Sequence, residues 1–175
     1  MRLRAMIFAA LCAVPALAQE DVFDFIPPGG KTLLEGILES APDGLGQLSD
    51  ARSPADWMQA LADGALPGAG DLDEWEQQTL ADYLAYAGPI TDAGNLPQDG
   101  RDMALARCQS CHIITVVVTQ DRTREAWLGT MNRPSHVEIE LTPEERGQLA
   151  DYLVVNGGIP IDQVPPALRA GGASY

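Results

Sequence analysis

Cysteine is scarce in this chain: three residues in 175, one of which, Cys12, falls in an N-terminal apolar stretch. No disulfide framework can be built from so few thiols. Cations are scarce as well, with 11 Lys and Arg against 25 Asp and Glu. A surface so acidic repels nucleic acid and anionic membrane faces, and its field would speed encounter with a basic partner in a salt-dependent way. Solubility alone would account for that charge equally well. Histidine occurs twice, as His112 and His136. No segment approaches the roughly 20 consecutive apolar residues a membrane span needs, so no transmembrane anchor is expected. Strand-like alternation is also scarce. Its one exception is the β-branched run at 113–118, read as buried loop or short extended chain.

What the N-terminus does contain is Met1-Arg2-Leu3-Arg4, an apolar run at 5–14, and Ala16-Leu17-Ala18, small residues where a signal peptidase would cut. A leader over 1–18, cleaved near Ala18, and export to the periplasm are therefore expected. A lipoprotein anchor at Cys12 would want a small residue before it, and Leu11 is bulky. Removing the leader takes Arg2, Arg4 and Cys12 with it. The mature chain then carries nine Lys and Arg against 25 Asp and Glu, a formal charge of −16, and two thiols, Cys108 and Cys111.

The mature chain repeats itself. Trp57 follows Gly30 by 27 residues, and Trp127 follows Gly100 by the same 27. After each tryptophan comes a loop and then the same pentapeptide, Leu80-Ala81-Asp82-Tyr83-Leu84 and Leu149-Ala150-Asp151-Tyr152-Leu153, with a single-residue gap between the copies. Duplication is the reading, and an all-α fold of two tandem helical modules is expected, over 19–92 and 93–158. Thr142-Pro143-Glu144-Glu145 supplies an N-cap, a proline at the first helical position and a capping-box glutamate. Asp71 and Glu74 offer a similar box in the first copy. Asn156-Gly157-Gly158 and Gly88-Pro89 mark helix ends. Trp127, Leu128 and Met131 share a helical face, as do Trp57, Met58 and Leu61. The tail at 159–175, rich in proline and glycine, is expected to be extended and partly mobile.

Both remaining thiols sit in one pentapeptide, Cys108-Gln109-Ser110-Cys111-His112. This is the c-type haem attachment pattern, in which two thiols form thioether bonds to the haem vinyl groups and the adjacent imidazole ligates iron. Two cysteines three apart at a helix end present both sulfurs along one porphyrin edge, and the next residue lies beneath its centre. A redox dithiol usually sits where a strand feeds a helix, which this chain does not show. A zinc site would want a second ligand pair, which only His136 could begin to supply.

The second copy, CQSCH followed by Thr123-Arg124-Glu125-Ala126-Trp127, then Leu141-Thr142-Pro143-Glu144-Glu145 and Tyr152-Leu153, resembles the haem-binding domains of di-haem cytochromes c, particularly the cytochrome part of the quinohaemoprotein amine dehydrogenase α subunit. The resemblance covers most of the mature chain and implies two haem-c modules in tandem. The first copy departs from it, holding Leu38, Ala41 and Pro42 in the slots of Cys108, Cys111 and His112. One covalent haem c is therefore expected, with the first module a haem-free scaffold that fills the haem space with side chains or docks a partner. Members of that kind tend to carry a methionine after the arginine that here is Arg133, and this chain has Pro134 there. The sixth iron ligand is left open between His136, Met131 and a water-bound site. Trp127 and Tyr152 are expected to pack around the porphyrin or to be plain core, and Arg122, Arg124 and Arg133 to lie near the pocket as propionate partners or solvated charges. The expected function is electron transfer between periplasmic redox partners, as a carrier or a dehydrogenase subunit, with no catalytic residues required. A haem enzyme or haem-based sensor with an exchangeable sixth ligand is the alternative.

Overall fold

The computed structural model describes residues 22–169. The expected leader and its cleavage site, Cys12 and the end of the tail lie outside the described residues. Among the described residues the chain is all-helical, without strands, and no helix is long and apolar enough to cross a membrane. The helices are α1 (Gly30–Ser40), α2 (Pro54–Ala62), α3 (Glu74–Ala87), α4 (Gly100–Met103), α5 (Thr115–Val118), α6 (Arg124–Met131) and α7 (Pro143–Asn156). At its C-terminal end α4 widens into a π turn, Ala104–Cys108.

Local chemistry sets most of these boundaries. Thr142 and Glu145 form the capping box of α7, with Pro143 at its first position. The box of α3 is Asp73 with Glu76, not Asp71 with Glu74, because Asp71 closes a preceding 3-10 turn, Ala69–Asp71. Both long helices stop at a glycine, Gly88 and Gly157. Of the run at 113–118, Ile113 and Ile114 stay outside helix, while the remainder is neither loop nor extended chain. It winds into α5, because that winding buries Ile114, Val117 and Val118 together. Tertiary burial here overrides β-branched propensity.

Two apolar cores result. One gathers Leu34, Leu48, Trp57, Leu61, Leu80 and Leu84. The other gathers Met103, Ile114, Val118, Trp127, Leu149 and Leu153. The halves repeat down to single contacts. Ser53 and Thr123 cap α2 and α6 through their side chains. The Arg52 guanidinium stands 4.6 Å from the Trp57 ring and that of Arg122 stands 5.1 Å from Trp127. The Ile90 amide donates to Leu48 O at 2.8 Å, and the Ile159 amide to Val118 O at 3.1 Å.

The junction between the halves also follows the repeat. A Cβ on Gly30 would fall 2.2 Å from Tyr83 Cβ, and one on Gly100 would fall 2.1 Å from Tyr152 Cβ, so glycine is what lets each first helix lie against each last one. The tyrosine hydroxyls then cross over. Tyr83 donates to Pro97 O, before α4, and Tyr152 donates to Pro27 O, before α1. α3 and α7 pack on each other, and Asn156 Nδ2 donates to Thr79 Oγ1 at 2.8 Å.

Two segments pack across the expected boundaries. Ile26, with Phe23 and Phe25 beside it, is buried in the core of the second half, although the chain next builds the first. Burying a side chain of that size contributes about 2 kcal/mol. The tail is not extended as far as residue 169. Ile159 and Val164 enter the second core, a 3-10 turn forms at Pro166–Leu168, and Thr115 Oγ1 donates to Leu168 O at 2.8 Å.

Candidate functional site

The π turn delivers Cys108 to the edge of the second core. The Gln109 amide reaches back to Ala104 O, and the amides of Cys111 and His112 both donate to Cys108 O, so the pentapeptide closes into a tight turn at the helix end. Such single-turn π segments recur at functional sites. Cys108 is half-buried, Cys111 and His112 are exposed, and both thiols are free.

These three residues line one cavity of about 380 Å³. That volume lies within the range of small-molecule and cofactor pockets, about 300–1,000 Å³. Its walls are apolar: Val117 from α5, Trp127 and Met131 from α6, and Leu149 and Leu153 from α7. His136 closes it from the loop between α6 and α7. The two histidines, far apart in sequence, have ring centroids 6.1 Å apart with planes inclined by 29°. Ser135 Oγ lies 3.0 Å from His136 Nδ1, which leaves Nε2 as the uncommitted ring nitrogen.

The polar groups of the cavity are few. Arg107 and Arg122 line it, Arg122 donating to Thr130 Oγ1 at 2.9 Å. Trp127 Nε1 and Arg107 Nε are buried without a hydrogen-bond partner. Trp57 Nε1 is orphaned in the same way, so the bare indole N–H belongs to the duplicated plan. Burial, with a smaller contribution from Cys111, pushes the Cys108 thiol up to about 11. A dithiol used for exchange needs the opposite shift.

Several expectations meet the structure differently. Cys108, Cys111, His112, His136, Met131 and Trp127 all come together at the cavity. Tyr152 does not line it. Its ring packs on Gly100 and its hydroxyl points to Pro27, the role that Tyr83 fills at the other end of the junction. Of the three arginines expected nearby, Arg122 lines the wall, Arg124 is paired with Asp151 at 2.6 Å, and Arg133 lies exposed. Met131 is buried like Leu61, its counterpart in the first half. In that half, Leu38 stands in the slot of Cys108, and the ungapped count from the tryptophans puts Leu66 in the slot of His136. A Cβ on Gly44 would meet Leu66 Cδ1 at 2.9 Å and Leu38 Cδ2 at 3.6 Å, so the two leucines converge there. Where the second half has a lined cavity, side chains meet in the first.

Three residues at the site escaped the sequence reading. Arg107 lines the wall, Ser135 engages His136, and Arg146, buried on α7, donates to carbonyls of the His136 loop. For Arg146 a signal existed. Residues 146, 149, 150 and 153 have helical spacing, which puts this cation on the apolar face.

Among the described residues no three or more His, Cys, Asp or Glu side chains gather as a site for a free metal ion. A haem iron asks less of the protein, since the porphyrin supplies four of its ligands and one or two side chains supply the rest. Comparison of this chain with protein-family models, with curated proteins and with solved structures found no match.

Proposed function

We propose that this chain is an exported mono-haem c-type cytochrome that passes electrons between periplasmic redox partners, as a carrier or as the cytochrome subunit of a dehydrogenase. The observation that carries the proposal is one cavity bordered by both thiols and both histidines of the mature chain, with the imidazole centroids 6.1 Å apart. Two imidazoles that both ligated one metal, each through a bond of about 2 Å, would stand at roughly that separation.

The residues fit the group. Cys108 and Cys111 would hold it by thioethers, formed by adding each S–H across a vinyl double bond, so that no electrons are gained or lost. His112 and, through Nε2, His136 would be the side chains that hold its iron, with Ser135 at Nδ1 orienting the His136 ring. Met131, on the wall, is the alternative sixth ligand. The apolar walls exclude water, and Arg107, Arg122 and the free N–H of Trp127 offer donors to carboxylates at the cavity edge. Bound haem supplies a one-electron couple whose potential is set by axial ligation and burial. The first half, with Leu38 and Leu66 converging at Gly44, is the haem-free counterpart. The likeness to di-haem cytochromes c with one site lost belongs to this reading. The acidic surface favours a redox partner with a basic docking face, and association should weaken as salt rises.

The test is to make the mature protein in a host with a cytochrome c maturation system. One haem per chain, retained in acidified organic solvent and giving a reduced-minus-oxidised c-type spectrum, is expected. Colourless mature protein, or pigment that extracts into the solvent, overturns the reading.

A further inference from the structure

Arg146 lies in the interior, 8% exposed, on the face of α7 that also carries Leu149 and Leu153. Burying a guanidinium is costly unless its donors are met. Here they are met by backbone carbonyls that bracket one loop. Nη1 donates to Met131 O at 2.5 Å, at the end of α6. Nη2 donates to Ile139 O at 2.8 Å and more weakly to Val137 O at 3.5 Å. Nε donates to Leu141 O at 3.3 Å, just before α7. Between those anchors stand Ser135 and His136.

The first half has the same device in weaker form. Gln77, the counterpart of Arg146, donates Nε2 to Leu72 O at 2.9 Å, Leu72 being the counterpart of Leu141. The half whose loop carries a leucine in the core has a neutral amide there. The half whose loop carries a histidine at a cavity has a charged fork reaching both flanks of the loop. Burial alone can seat Leu66, whereas a half-buried histidine in a loop needs its backbone held from elsewhere.

We propose that Arg146 is a positioning residue that holds the 132–141 loop at both ends and thereby keeps His136 opposite His112 as the distal ligand. This rests on the reading of the cavity as a haem site with His136 bound to iron. The clamp does not touch the reacting centre. It sets how long the distal position stays closed to competing ligands, which is the difference between an electron carrier and a ligand-binding haem.

The test uses the haem-loaded protein and four variants: Arg146→Gln, which copies Gln77, Arg146→Lys, His136→Ala, and Leu84→Ala, which weakens the other core. Acid-stable haem, the low-spin fraction of the ferric form, cyanide association rate and hydrogen exchange over 132–141 are measured on each. Arg146→Gln should keep acid-stable haem, become partly high-spin, bind cyanide at least tenfold faster and exchange faster across the loop. Its cyanide rate should approach that of His136→Ala, with Arg146→Lys between it and the wild type. Leu84→Ala should lose stability without a change in cyanide rate. If Arg146→Gln does not accumulate, Arg146→Lys carries the comparison. A wild-type cyanide rate in both Arg146 variants, or an equal rise in Leu84→Ala at matched stability, overturns the proposal while the haem reading stands. A wild type without acid-stable haem, or one whose ligation survives His136→Ala, overturns the underlying reading and the proposal with it.

Discussion

Gly29 and Asp99 are complementary: a Cβ on Gly29 would fall 1.9 Å from Asp99 Oδ2. The residue before α1 has no side chain because the residue before α4 occupies its place. Asp99 Oδ1 accepts from the Asp102 amide and Oδ2 from the Lys31 amide, each at 2.9 Å, so one carboxyl caps the first helix of both halves. It is 1% exposed, and α1 has no side-chain cap of its own. One buried carboxyl therefore ties the first helices of the two halves together, beside the contact between Asn156 and Thr79 and the crossed tyrosine hydroxyls.

Replacing Asp99 with alanine should cost more than an ordinary cap. Loss of one N-cap costs about 1 kcal/mol, and here two helices lose theirs while a buried amide is left unpaired, for a total of about 2–3 kcal/mol. Gly29→Ala should destabilise by a similar route, through its clash with the same carboxyl. Denaturant unfolding of the two single variants and the double would check this. Fully additive losses would show that the residues do not share one site.

The repeat places two aspartates near each other where α3 meets α7. Burial, reinforced by the charge of Asp151 and opposed by a hydrogen bond from Gln78, raises the Asp82 carboxyl from 3.8 to about 6. A folded-state pKa above the unfolded value means that the folded form binds the proton more tightly. The stability this contributes is full below about pH 4 and is lost as pH rises through about 6. Asp82→Asn should remove that slope and raise stability at pH 7 by about 1 kcal/mol, a figure kept low because solvent screens a half-buried group. Melting temperature measured from pH 4 to 8 in both proteins is the check; unchanged slopes would remove Asp82 as the cause.

Elements whose determinants lie within a turn or two were legible in the sequence. Thr142 with Glu145 and the glycines after α3 and α7 act locally, and the chain states them directly. The repeat was legible because Gly30, Trp57 and Tyr83 recur at nearly fixed distances as Gly100, Trp127 and Tyr152. What stayed hidden depends on a partner elsewhere in the fold. The direction of Tyr152 is set by Gly100 and Pro27, and the double cap of Asp99 requires Lys31 beside it. The helix at Thr115–Val118 forms because the second core receives Ile114 and Val118, which local propensity does not register. The meeting of His112 with His136 joins a turn to a distant loop, and the identity of the two residues was readable while their separation was not.

The filled and the lined halves should respond in opposite ways to truncation at equivalent slots. Leu66 is 1% exposed, and Leu66→Ala in a packed core costs about 3 kcal/mol. His136, half-buried, borders a cavity from a mostly exposed loop, so in protein made without haem His136→Ala should change stability by less than about 1 kcal/mol. Chemical denaturation of the two variants measures the contrast. A small loss for Leu66→Ala would mean that the first half, too, keeps room for a ligand.

The thiols separate the two chemistries that a Cys-X-X-Cys pair supports. A redox dithiol needs a thiolate near neutral pH, which an electropositive, partly exposed setting provides. Cys108 has the reverse, since burial lifts its thiol from 9.0 to about 11 and so cuts its thiolate fraction about a hundredfold below that of an ordinary cysteine. In protein made without haem, iodoacetamide at pH 8 should label exposed Cys111 well before half-buried Cys108, as read by peptide mass spectrometry. In haem-loaded protein neither should be labelled, because both sulfurs are then thioethers. Rapid labelling of Cys108 without haem, or a Cys108–Cys111 disulfide that cycles with a dithiol reductant at neutral pH, would turn the site from haem attachment to thiol exchange.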